Sequence, residues 1–112
     1  MAYHKEETII DNTQFGQKVV EVVLSELDLT LGVKEVTLDK IGKISSFVGG
    51  VTKNDLTDDF VLAYDIERST VHPNNGLKIT VGKMQASAVN TWGQALTADV
   101  AGAVLRLMVT GI

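Results

Sequence analysis

The chain has 112 residues, enough for one domain with a single hydrophobic core and too few for two. A hydrophobic fraction of 45% with 21% charged residues is an ordinary globular balance and excludes an intrinsically disordered chain. Net charge is −4, with seven Lys/Arg against thirteen Asp/Glu up to Arg68 and three against one from Ser69 onward, which disfavours a phosphate backbone as partner.

Residues 1–15 read as a polar N-terminal arm whose only apolar pair is Ile9-Ile10, and residues 16–112 as a single β domain. Met1 to Asp11 lacks the apolar core of a secretion signal, and no apolar run approaches a membrane span, so synthesis and assembly in the cytoplasm are expected. Gln17 to Leu29 is rich in valine. Val20, Val22 and Leu24 alternate with Val19, Glu21 and Val23, and the apolar parity flips near Ser25, as a β-bulge would make it. A helix competes, because Phe15, Val19 and Val22 or Val23 share a helical face; the branched composition favours a strand.

Gly32 marks a turn, and Lys34 to Lys40 alternates with Val36 and Leu38 inward. After Gly42, Lys43 to Val51 reads as a strand ending at Gly49-Gly50, followed by a polar loop over 52–59. Phe60 to Arg68 alternates most clearly, with Phe60, Leu62, Tyr64 and Ile66 on one face. His72-Pro73-Asn74-Asn75-Gly76 is a turn, where Asn and Gly tolerate positive φ and Pro presets the bend. Leu77 to Met84 follows as a strand with Leu77, Ile79 and Val81 inward, and Gln85 to Asn90 could continue into another. Trp92-Gly93 reads as loop, Thr97-Ala98-Asp99 as one helical turn, and Gly102 to Thr110 as the last strand, with Leu105, Leu107 and Val109 on one face. The expected fold is all-β: an antiparallel β-sandwich or barrel of about seven or eight short strands. The expected core is Val36, Leu38, Phe60, Leu62, Tyr64, Ile66, Leu77, Ile79, Val81, Leu105 and Leu107.

Few residues offer chemistry. Cysteine is absent, which removes disulfides, thiolate metal sites and cysteine nucleophiles. Asp55, Asp58 and Asp59 are the best metal candidates, but the stretch lacks the glycine and terminal glutamate of a calcium loop, and a solvated loop is the preferred reading. His4 and His72 fall in the arm and in a turn, without further ligands for zinc. Neither a G-x-S-x-G elbow nor a Walker phosphate loop occurs, since Gly42-Lys43 and Gly82-Lys83 lack the hydroxyl that must follow. The expectation is therefore a protein that is not an enzyme, needs no cofactor or metal, and binds neither nucleic acid nor membrane. Trp92 is as suited to an interface as to the core, whereas Tyr64 sits on its strand's apolar face. The small residues Ala86, Ser87, Ala88, Ala95, Ala98, Ala101 and Ala103 would let another surface approach closely. Ile9, Ile10 and Trp92 are the candidate interface residues.

The closing run Asp99-Val100-Ala101-Gly102-Ala103-Val104-Leu105-Arg106-Leu107-Met108-Val109-Thr110-Gly111-Ile112 resembles the ending of many small virion proteins of tailed bacteriophages. Gly76 to Asn90 is similar in style. The acidic, cysteine-free, β-rich make-up resembles capsid decoration (cement) proteins. The resemblance covers about the last third of the chain and carries over no functional residue. It implies a homo-oligomeric structural protein of the virion, bound to a capsid or another virion protein and assembled in the host cytoplasm. A capsid decoration protein is expected first, and a head–tail or tail component second. A monomeric β-sandwich module binding carbohydrate or protein is the alternative; only six aromatic residues, most of them needed inside, weigh against sugar stacking.

Overall fold

Period-two alternation in this chain is realised as strands. The computed structural model describes residues 3–12, 16–53, 60–85 and 92–112, excepting the side chains of 51–53, 60–61, 84–85 and 92. Eight strands lie among the described residues: β1 (His4–Asn12), β2 (Lys18–Ser25), β3 (Val33–Thr37), β4 (Ile44–Lys53), β5 (Phe60–Arg68), β6 (Gly76–Gln85), β7 (Trp92–Gln94) and β8 (Ala103–Gly111). A 3-10 turn spans Thr97–Val100. All pairings are antiparallel. One sheet has the order β1-β2-β8-β4, and the other has β3-β6-β5 with β7 added to β6.

The two sheets share one core, in the manner of a β-sandwich rather than a closed barrel. Val20, Val22 and Leu24 from β2 and Leu105, Leu107 and Val109 from β8 are buried together with Leu77, Ile79 and Val81 from β6. Complete burial of such side chains contributes roughly 1.5–3 kcal/mol each. The central strands therefore carry most of the stability. β5 is an edge strand, so Leu62, Tyr64 and Ile66 are only half-buried against that core, less than expected. Val36 and Leu38 are buried as expected, and the side chain of Phe60 lies outside the described set.

The strand reading of 17–29 holds for Lys18 to Ser25, and the parity flip has a different cause from a bulge. Glu26 takes φ 56°, ends the strand, and re-aims the chain so that Leu27 is buried. The N-terminal segment forms β1, paired with β2 over its whole length. β4 runs through Gly49-Gly50 to Lys53 instead of ending there, and Trp92-Gly93 belongs to β7, not to a loop. Residues 54–59, with Asp55, Asp58 and Asp59, lie outside the described residues, as do 86–91 with Ala86, Ser87 and Ala88.

Two connections fix how the sheets meet. Between β2 and β3, Leu31 (φ 52°) and Gly32 (φ 77°) form a two-residue turn closed by reciprocal bonds between Thr30 and Val33. Positive φ at both central residues is the mark of a type I′ turn, where Asn-Gly is usual and leucine is strained. The 69–75 loop uses Gly76 for space rather than for φ: a Cβ there would lie 2.7 Å from both the Cβ and the carbonyl oxygen of His72. Its buried Ser69 accepts bonds at Oγ from the amides of Val71 and His72. Asn75 and Asn74 then bond Leu38 and Ile44, tying the ends of β3 and β4 to one loop.

Candidate interaction surfaces

The charged side chains that β1 brings to the sheet boundary serve anchoring. Lys5 and Glu7 share the inward face of β1, in register with Leu24 and Val22. The Glu7 carboxylate is 4% exposed and accepts the amides of Asp39 and Lys40 at 2.9 Å. Lys5 Nζ donates to Glu7 at 3.1 Å, to the carbonyl of Thr37 at 2.6 Å and to Asp39 at 3.3 Å. A carboxylate taking several backbone amides makes strong, charge-assisted bonds. This cluster bolts the edge of one sheet to the end of β3 in the other.

A second cluster surrounds the start of β1. Lys34 Nζ lies 4.1 Å from the centre of the Tyr3 ring and 2.7 Å from Asp28. Burial, followed by the negative charges of Asp28 and Glu7, pushes the Tyr3 hydroxyl up to about 12. The hydrogen bond from Lys34 is the main cause that holds the Asp28 carboxyl below its ordinary value. Asp28 and Lys34 border a shallow depression of about 420 Å³ with Thr30, Val33 and Glu35. The ion pair of Lys34 with Asp28 holds the lysine over the Tyr3 ring.

Lys83 and Asp99 form a third pair at 3.0 Å, and Asp99 also accepts the amide of Leu96, fixing the 3-10 turn beside β7. The histidines stay at the surface: His4 lies 3.8 Å from Glu6, and His72 is exposed in its loop. Among the described residues no group of three His, Asp or Glu side chains is placed to hold a metal ion.

The expected interface residues do not come together. Ile9 faces inward opposite Val20 yet is 40% exposed, because nothing covers that edge among the described residues. Ile10 is the extra residue of a bulge and is 54% exposed. Trp92 pairs with Met84 in the other sheet. The sequence reading missed Leu31, Val48 and Leu96, exposed at 76%, 69% and 63%. Leu31 and Leu96 project from neighbouring segments, since Leu29 bonds Thr97 and Gly32 abuts Gln94. Val48 was obscured by the Gly-Gly pair beside it, which hid the parity of β4.

A scan against protein-family models, a search of curated proteins and a search of solved structures each found no match for this chain.

Proposed function

We propose that the protein is a non-enzymatic structural protein of a bacteriophage virion, a capsid decoration protein in the first instance, which acts by self-association and docking. The observation that carries this reading is the division of labour among its side chains. The charged groups around β1 and β7 hold the fold together, while large apolar residues stand in solvent at strand edges and turns. Exposed apolar groups that lie together mark surfaces that meet other proteins, and Leu31 and Leu96 project from neighbouring segments. The resemblance of the final strand to virion proteins gives the class of partner. A head–tail or tail position would use the same surfaces.

The test follows the protein in lysates of the strain that carries its gene. An antibody against the chain should find it sedimenting with heads or tails on a density gradient. Recovery only at the top of the gradient, with no particle-bound fraction, would overturn the reading.

A further inference from the structure

The sheet β1-β2-β8-β4 has two edges of opposite character. β1 carries Lys5, Glu6, Glu7 and Asp11, turns Lys5 and Glu7 inward, and bulges at Ile10. Charge, inward-pointing charge and bulges are the devices that stop sheet edges from pairing. β4 carries a single charged residue, Lys53, at its very end. Ile44 to Thr52 contains no charged residue, and its bulge is confined to Ser45, leaving Ser46 to Lys53 in unbroken register with β8. Among the described residues no segment pairs with its far side.

Two residues of β4 have no explanation within the subunit. Val48 projects from the outer face at 69% exposure. Gly50 shares that face two positions on, yet its φ is not positive and an added Cβ would meet nothing within 4 Å. Glycine inside a strand weakens it and is found where another backbone approaches closely. Gly49 differs: a Cβ there would collide with Leu107 Cδ2, so the core accounts for it.

We infer that the β4 edge is an interface between two copies of this chain, paired antiparallel about a two-fold axis at Gly49, with Val48 of each copy opposite Gly50 of the other. The register then fills each unexplained gap with the neighbour's unexplained valine. A second copy is the fitting occupant because Ile44 to Thr52 is uncharged and can face itself without like charges in opposition, Lys53 falling opposite Ser45 in this register. A two-fold pairing through β5 would instead bring a strand with three charged residues, Asp65, Glu67 and Arg68, against itself. The contact is isologous and uses up both β4 edges, leaving charged β1 strands at the outer ends of a continuous sheet, so assembly by this route closes at a dimer. The inference deepens the self-association in the proposed function and is independent of which particle, if any, the dimer binds.

The experiment uses the full chain, whose lack of cysteine makes introduced thiols unambiguous. Sedimentation equilibrium over a range of concentrations should give twice the 12.1 kDa chain mass. Val48→Lys should return the chain to monomer with an unchanged circular dichroism spectrum and a melting curve that no longer depends on protein concentration. After air oxidation, the double variant Val48→Cys/Gly50→Cys should give about tenfold more covalent dimer than either single variant, because only the double variant places thiols directly opposite each other. A wild-type chain that stays monomeric, a dimer indifferent to Val48→Lys, or single variants that cross-link as well as the double would each overturn the inference. A wild-type chain that stays monomeric yet binds an added extended peptide along β4 would overturn it in favour of strand addition by such a peptide. Particle sedimentation reads the proposed function separately, so the two can fail independently.

Discussion

β1 and β4 flank the same β2-β8 pair, and they end the sheet in different ways. β1 has almost no buried apolar residue of its own and is held by polar bonds that cross to the other sheet. β4 is held from beneath, by Ile44 in the core and by the seat that Gly49 leaves for Leu107. The difference teaches that one edge is secured and closed by charge, while the other is secured by packing and left open to pairing.

The largest effect is expected where β4 meets the core. Leu107→Ala should destabilise the subunit by about 2–5 kcal/mol in urea melts, the usual range for a buried leucine. Gly49→Ala alone should cost about 1–3 kcal/mol through overpacking against Leu107. Combined with Leu107→Ala it should cost far less, because the collision is gone. Strict additivity of the two would break the packing account of β4.

On the other edge, Glu7→Ala should cost about 1–3 kcal/mol, since it strands the amides of Asp39 and Lys40 and leaves Lys5 without its nearest carboxylate. Amide exchange should accelerate most in β1. A loss spread evenly over both edges would show that Glu7 is not the bolt described.

These two edges were unequally legible in the sequence. The alternations of Leu77 to Val81 and Leu105 to Val109 name central strands because both sheets bury that face completely. HKEETIIDN shows no such pattern, since the inward positions of β1 are filled by Lys5 and Glu7, and polarity there reads as an arm. Gly49-Gly50 reads as a turn because the reason for Gly49, the side chain of Leu107, lies more than fifty residues away. The surface followed the same rule. Ile9 and Ile10 stood out as an apolar pair in a polar stretch, whereas Val48 could be seen as exposed only once the β4–β8 register was known.

Proton linkage distinguishes the edges more gently. Tyr3 at the start of β1 holds its proton more tightly when folded, its value rising from 10.0 to about 12. Its contribution is therefore complete below pH 10 and is lost as pH rises toward 12. Asp28 is shifted the other way by Lys34, so its contribution is present above the ordinary carboxylate value and fades as pH falls through the folded one. Alkaline titration should loosen β1 before β4 in amide exchange, and Tyr3→Phe should remove that step. Simultaneous loosening of both edges would contradict the assignment.

The smallest effect on the subunit itself is expected from lysines placed on the two outer faces. Val48→Lys on β4 and Thr8→Lys on β1 should each change monomer stability by no more than about 0.5 kcal/mol, as exposed substitutions do. Only the first should alter the mass in solution.

Amide hydrogen exchange of the wild-type chain, compared at low and high protein concentration, tests the contrast between the edges most directly. The outward-facing amides of Ser46 to Thr52 should slow by about tenfold or more as concentration rises, because pairing covers them, while those of His4 to Asn12 keep their rates. Rates in β4 that do not depend on concentration, or equal slowing in β1, would contradict the claim that one edge of this sheet is closed and the other is built to pair.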